Sequence, residues 1–215
     1  MLISIERDGA EAARAGLERC LATGGVAVFP ADGLYGLACD PLDAAAIARI
    51  HRLKGRDEGK SSAVMYLSPL AMRELVESLG PRTRAAIGAL LPGALTLVVA
   101  NPEHRYPLAC REDPERLGVR LIDGPLAGTM RPLFQTSANR SGEPSPGSFN
   151  EVPPEIVDGT DLAIDGGSLA GRPSTVVDLS RYDGNGEWTV LRPGAVAEAD
   201  LAAALPKISE GESKN

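Results

Sequence analysis

Short apolar runs recur along the whole chain between turn-forming residues, and this feature constrains the fold more than any other. Runs of this length, rich in Val, Leu and Ile, are typical of buried β-strands. They predict strands at residues 2–5, 26–29, 62–67, 95–99, 117–122, 133–136, 161–164, 175–179 and 188–191. Strands outnumber helices, and no repeat or long linker divides the chain. We therefore predict a single α/β domain, a twisted mixed β-sheet flanked by helices.

Helix starts are marked by capping residues and prolines. We predict them at Asp8, Asp43, Pro69 and Pro81. The second of these helices runs toward Lys54. Residues 101–116 are rich in Pro, Arg and Glu and predict a loop or arm, and the Gly-Asn-Gly at 184–186 predicts a hairpin between the last two strands.

Charge and composition argue against several function classes. The chain has 22 Lys and Arg against 29 Asp and Glu, a net charge of −7, and only 4% aromatic residues. A protein that grips nucleic acid across a broad face is usually basic. The three cysteines include no Cys-x-x-Cys pair, and neither His51 nor His104 has the spacing of a metal ligand. We therefore predict no protein metal site.

The ends of the chain predict its compartment and its ordered part. The first residues lack the pattern of a secretory signal, and no apolar run approaches the length of a membrane span. We expect a cytoplasmic protein with reduced thiols and no membrane association. Residues 209–215 are polar and predict a frayed tail, which leaves residues 1–208 as the domain.

Two distant segments carry the strongest functional signal. Residues 137–145 place small hydroxyl and amide side chains in a glycine-containing loop. Lys54, Arg56 and Lys60 place three cations within seven residues, where Gly55 and Gly59 permit a loop. Cations at the end of a helix are also favoured by its dipole, so a solvated helix end remains an alternative. Together the two segments predict a nucleotide or polyphosphate site.

Common nucleotide and hydrolase motifs are absent from the sequence. There is no Gly-x-x-x-x-Gly-Lys-Ser/Thr, no Gly-x-Gly-x-x-Gly that opens a helix after a strand, and no Gly-x-Ser-x-Gly. The usual P-loop and dinucleotide folds are therefore excluded, and a Ser-His-Asp triad is poorly supported.

The order of short motifs resembles the threonylcarbamoyl-adenylate synthases of the YrdC/YciO type. The resemblance extends from about residue 18 to residue 195. Its motifs are residues 25–37, Lys54-Gly55-Arg56 with Lys60, and residues 91–97, 118–120, 137–142, 173–178 and 191–194. Each motif is modest by itself, but their common order is specific.

The resemblance implies a fold and a reaction. The fold is a twisted α/β sheet with a large concave, positively lined cavity. The reaction joins L-threonine, bicarbonate and ATP into threonylcarbamoyl-AMP and pyrophosphate, with Mg²⁺ carried by the ATP phosphates. Other proteins would then transfer the product to tRNA, to make threonylcarbamoyladenosine.

The resemblance also implies roles for individual residues. Lys54 and Arg56 would be catalytic, because they can stabilise charge that builds on phosphate oxygens. ATP would be bound by Lys54, Arg56, Lys60, Ser137, Asn139, Ser141 and Arg192. The amino acid would be bound by Asp32, Lys60, Arg120 and Ser174, with Arg120 on its carboxylate.

The sequence departs from the family pattern where the amino acid is held. Ala31 and Gly33 stand where threonines usually flank the acidic residue. Two alternatives to the synthase therefore stay open: a diverged relative that binds nucleotide but has another or no amino-acid substrate, and an RNA-binding module with weak affinity. The Gly and Pro residues of segment 140–150 also predict a lid that excludes water.

Overall fold

A computed structural model describes residues 1–55 and 61–205 of the chain. Within these ranges the strands are β1 (Leu2–Ser4), β2 (Ala27–Ala31), β3 (Leu34–Cys39), β4 (Ala63–Tyr66), β5 (Leu95–Ala100), β6 (Arg116–Leu121), β7 (Leu133–Ser137), β8 (Leu162–Asp165), β9 (Thr175–Asp178) and β10 (Thr189–Arg192). The helices are α1 (Ile5–Asp8), α2 (Ala10–Ala22), α3 (Ala44–Lys54), α4 (Pro69–Ser78), α5 (Pro81–Leu90), α6 (Pro107–Cys110), α7 (Pro154–Asp158), α8 (Tyr182–Asn185) and α9 (Glu198–Ala204), with a 3-10 turn at Phe149–Glu151.

All ten strands of the described residues form one sheet in the order β1-β8-β2-β3-β7-β4-β6-β5-β9-β10. β8 lies parallel to β1 and β2, β4 parallel to β6, and β5 parallel to β9, whereas the other neighbours are antiparallel. The predicted single α/β architecture with a mixed sheet is confirmed. The predicted tail at 209–215 lies outside the described residues.

Two apolar clusters cover opposite faces of the sheet. At the start of β2, Val28 and the preceding Val26 belong to one cluster, whereas Ala27 and Phe29 belong to the other, as the alternation of side chains along a strand requires. Helices α3, α4 and α5 contribute to the first cluster, and α2 to the second. Helix α2 packs on β1, β2 and β8, at one end of the second face, and no other described helix contributes a buried residue to the second cluster.

Several local predictions are corrected by the structure. Asp8 does not cap the predicted helix, because α2 begins after Gly9 without a side-chain cap. Asp8 is instead the last residue of the short helix α1, which Ser4 caps, and its carboxylate accepts from the Ser4 amide at 2.8 Å. Residues 34–39 form a strand that the apolar pattern did not predict. The last two strands pair as predicted, but helix α8 joins them instead of a tight turn, and helix α6 interrupts the predicted loop at 101–116.

The short pairing between β2 and β8 explains how Pro30 is tolerated inside the sheet. β8 pairs with β2 only at Ala27 and Val28, so Pro30 lies beyond that ladder, and its missing N–H leaves no gap there.

Among the described helices, none is both long and apolar enough to cross a membrane.

Candidate active site

A cavity of about 430 Å³ lies on the sheet face that α2 leaves open. Its side chains come from alternate positions of neighbouring strands, which therefore point to the same face. These pairs are Thr96 and Val98, Gly118 and Arg120, Gln135 and Ser137, and Ser174 and Val176. Strand alternation, together with the short reach of α2, thus creates the concave site.

Arg120, Arg172 and Arg192 give the cavity its positive charge. Arg120 is only 6% exposed; its Nη1 donates to Gln135 Oε1 at 3.3 Å, and its Nη2 lies 3.7 Å from Asp32 Oδ2. Burial lowers the pKa of Arg120 to about 10, while Asp32 opposes that change and Arg192 adds to it. Arg120 therefore remains a cation at neutral pH. No described residue accepts a hydrogen bond from its buried Nε.

The predicted residues Arg192 and Ser174 meet at one wall of the cavity. Arg192 Nη2 donates to the Ser174 carbonyl at 2.9 Å and contacts its Oγ at 3.2 Å. Ser174 Oγ in turn lies 2.9 Å from Thr96 Oγ1, and both hydroxyls are buried. Thr96 was not among the predicted site residues, although it belongs to one of the motifs that carry the resemblance.

Lys54 lies under the predicted hydroxyl-rich loop and holds it in place. The residue ends α3, is 4% exposed and does not line the cavity. Its Nζ donates to the carbonyls of Ser137 and Asn139, the latter at 2.7 Å. A backbone hydrogen bond adds to this contact, because the Ser141 amide donates to the Lys54 carbonyl at 2.8 Å. Arg56 and Lys60, predicted beside Lys54, lie outside the described residues.

Asn139 also shapes this loop from within. Its Nδ2 donates to the carbonyls of Arg140 at 2.8 Å and Glu143 at 2.7 Å, and its Oδ1 accepts from Ser145 at 3.4 Å. Of the predicted ATP-binding residues in this loop, Ser137 lines the cavity, whereas Asn139 and Ser141 do not. The loop therefore presents Ser137 and Ser145 to the cavity on a frame built by buried polar contacts.

The turn between β2 and β3 forms the rim of the cavity. Asp32 has a φ of 73°, in the left-handed region, and its carboxylate lies beside Arg120. At Gly33, an added Cβ would overlap the carbonyl oxygen of Arg172, and the Gly33 carbonyl accepts from the Gly171 amide at 2.8 Å. The backbone of segment 171–174 thus occupies the place of a side chain at position 33.

Sequence reasoning did not identify Arg172 and Gln135 as site residues. Arg172 lies in an irregular segment between strands, and Gln135 reads as an ordinary strand residue. A basic residue next to the Pro-Ser-Thr motif, and a polar residue within an apolar strand, are the signals that could have found them.

The second half of segment 140–150 is hydrogen-bonded to β3, because the Pro146 carbonyl accepts from the Tyr35 amide at 2.9 Å. The lid remains a prediction.

Comparisons with known proteins place this cavity in context. A model of the Sua5/YciO/YrdC family, described as telomere recombination, matches residues 19–194. The chain is 34% identical to the threonylcarbamoyl-AMP synthase of Thiobacillus denitrificans over 182 residues, which are 79% of this chain and 93% of that protein. It is also 34% identical over 217 residues to the threonylcarbamoyl-AMP synthase of Mus musculus, covering 91% and 71%.

Solved structures agree with this similarity. The structure of Pyrococcus abyssi Sua5 complexed with L-threonine has a TM-score of 0.83 and 26% identity, and covers 97% of this chain. The chain spans 62% of that protein's length. The structure of Escherichia coli YciO has a TM-score of 0.73 at 23% identity, covering 90% and 94% of the two chains, which supports the fold alone.

Proposed function

The chain belongs to the Sua5/YciO/YrdC family, and from this membership we propose that it is an L-threonylcarbamoyladenylate synthase. The observation that carries the proposal is the similarity, over most of both chains, to proteins named threonylcarbamoyl-AMP synthase. The arginine-lined cavity supports it, because a triphosphate and a carboxylate are both anions. The RNA-binding and diverged-relative alternatives have no comparable support.

The reaction balances with three substrates and no covalent enzyme intermediate. The amine of L-threonine and bicarbonate form a carbamate and release water. A carbamate oxygen then attacks the α-phosphorus of ATP, the bond to the β-phosphate oxygen breaks, and pyrophosphate leaves. Positioning of the three substrates and stabilisation of charge on the phosphate oxygens would supply most of the rate.

The cavity offers groups for both ends of this reaction. We expect Arg120 to bind the carboxylate of the amino acid, because it is a buried cation at the cavity floor. We expect Arg192 and Ser137 to face the nucleotide, with Ser174 fixing the Arg192 guanidinium. Arg56 and Lys60 keep their predicted phosphate roles as proposals. Lys54 takes a different part, since its ammonium holds the loop that carries Ser137.

We also propose Mg²⁺ as the metal that accompanies ATP. Among residues 1–55 and 61–205, no three His, Cys, Asp or Glu side chains converge. We therefore expect Mg²⁺ to be held mainly through the ATP phosphates, where it would neutralise charge on the pyrophosphate. We further propose that the protein works in the cytoplasm and supplies its product to proteins that modify tRNA.

The function is tested by pyrophosphate release in the presence of ATP, Mg²⁺ and bicarbonate. L-threonine and each other amino acid are added in turn, and product masses are recorded. We expect release that depends on both L-threonine and bicarbonate, with a mass peak for threonylcarbamoyl-AMP. Retained ATP binding without threonine-dependent turnover would contradict the proposal and favour a diverged nucleotide-binding relative.

Asp32→Asn tests the charge balance around Arg120. Asparagine has the same shape and tolerates the left-handed φ of this position, so only the charge changes. Without the carboxylate, the buried Arg120 cation loses its neighbouring negative charge. We expect the free energy of unfolding to fall by less than about 1 kcal/mol, because the Asp32 side chain is 37% exposed and solvent screens the pair. An amino-acid carboxylate can replace the lost charge, so L-threonine should raise the melting temperature of the variant more than that of the native chain.

Thermal melts with and without L-threonine measure both effects. The matched control is Asp113→Asn, which also removes a surface carboxylate from an arginine, in this case Arg116 outside the cavity. Its threonine-induced shift should equal that of the native chain. A smaller shift for Asp32→Asn would contradict the charge-balance role and indicate that Asp32 holds the substrate amine directly.

A further inference from the structure

Gln135 occupies the floor of the cavity directly beside Arg120. It lies in the middle of β7, where its backbone pairs with Ala38 of β3 and Ala63 of β4. The residue is 8% exposed and lines the cavity, and its Oε1 accepts from Arg120 Nη1 at 3.3 Å. A buried amide with one hydrogen bond still has donors to satisfy.

The chemistry of Arg120 fixes which way the Gln135 amide faces. A guanidinium group has donors only, so the amide must turn its oxygen toward Arg120 and its NH₂ group away. The NH₂ group lies over β3, where an added Cβ at Gly36 would be 3.0 Å from Nε2 and from the Ala31 Cβ. The absence of a Cβ at position 36 therefore leaves the room that this amide needs.

The NH₂ group has no protein partner within the described parts of the chain. The hydrogen bond to Arg120 is the one that the side chain makes there, and Nε2 is not among the fully buried polar atoms that lack a partner. Arg120 Nη2 is similarly open, because its distance of 3.7 Å from Asp32 exceeds a hydrogen bond. Arg120 and Gln135 both line the cavity, and they bring N–H donors of two kinds to it, one cationic and one neutral.

We propose that Gln135 is a second ligand of the amino-acid carboxylate, and that it forms with Arg120 a two-residue clamp for that group. The proposal rests on the proposed function, since it names the part of the substrate that this corner of the cavity binds. Arg120 supplies the charge, and the Gln135 NH₂ group supplies a directed hydrogen bond to a carboxylate oxygen. The Gln135 oxygen also orients the guanidinium.

The test compares L-threonine with L-threoninol, which has the same amine and hydroxyl but no carboxylate. Isothermal titration calorimetry of the full chain measures the dissociation constants of L-threonine, L-threoninol and ATP. The titrations are made first without bicarbonate and then with it. Gln135→Met keeps a side chain of similar length and removes the donors, and we expect about tenfold weaker L-threonine binding. Gln135→Glu places an anion beside Arg120 and should weaken it further. ATP affinity and the weak L-threoninol affinity should change by less than about twofold.

Asn101→Leu is the matched control, because Asn101 is another buried amide with its contacts outside the cavity, to the carbonyls of Arg105 and Pro114. It should lower the melting temperature without altering the preference for the carboxylate. Equal binding of L-threonine by the native chain and Gln135→Met would overturn the clamp. So would a loss that appears only when bicarbonate is added, which would assign the amide to the carbamate. If the native chain binds no amino acid, the proposed function itself fails.

Discussion

Replacement of Lys54 by methionine is expected to lower synthase activity at least about a hundredfold and to destabilise the protein as well. The Lys54 ammonium is buried and donates to the carbonyls of Ser137 and Asn139. Methionine is of similar length but cannot donate, so each buried carbonyl would lose its partner at a cost of about 1–3 kcal/mol. The loop would then no longer present Ser137 to the cavity in a fixed position.

Chemical denaturation and initial rates on the same samples separate the two effects. Arg52→Met is the matched control, since Arg52 is a cation of the same last turn of α3 but is exposed. We expect it to change stability by less than about 0.5 kcal/mol and activity very little. A Lys54→Met variant that is inactive but as stable as the native chain would contradict the anchoring role. It would favour the direct phosphate contact predicted from sequence.

Replacement of Gly33 by threonine is expected to lower activity about a hundredfold, although threonine is the residue that the family pattern leads one to expect there. A Cβ at this position would overlap the Arg172 carbonyl oxygen, so the backbone of segment 171–174 would have to move. That segment carries Ser174, which holds the Arg192 guanidinium, and it continues into β9. The strain should also cost about 1–3 kcal/mol of stability.

Gly33→Ala and Gly88→Ala complete this experiment. Alanine at position 33 already carries the overlapping Cβ, and we expect most of the loss from that change alone. At Gly88, in the middle of α5, an added Cβ meets nothing within 4 Å, so alanine should raise stability by about 0.5–1 kcal/mol without loss of activity. A Gly33→Thr variant that binds L-threonine more tightly and stays active would contradict the prediction. It would show that the backbone of segment 171–174 moves aside at little energetic cost.

The fold was largely predictable because strands and helices leave local patterns. Buried strands such as β5 and β6 are apolar along their length, and Pro69 and Pro81 stand at the first position of their helices. Strand β3 escaped because its motif residues, with a glycine at position 36, obscure the apolar run. The cap at Asp8 was wrong because Asp8 ends the short helix α1, and the predicted helix α2 begins after Gly9.

The residues that line the cavity were predictable in part, and their geometry less so. The motif order marked Ser137, Arg120, Ser174 and Arg192, which the structure gathers around one cavity. The sequence did not show that the Lys54 ammonium faces backbone carbonyls, because its partner Ser137 is 83 residues away. A local pattern reports the type of a side chain and the element that carries it, but not what lies opposite.

The sequence by itself determined the family, the mixed α/β architecture and the residue types available for binding anions, since these follow from local periodicity and motif order. Only the tertiary structure decided that Arg172 closes over Gly33 and that Gln135 lies against Arg120. Neither contact joins neighbouring strands, because β4 lies between β6 and β7, and Gly33 and Arg172 lie in connections outside the strands. Their geometry depends on strand order and on which face each side chain takes, and those are properties of the whole sheet.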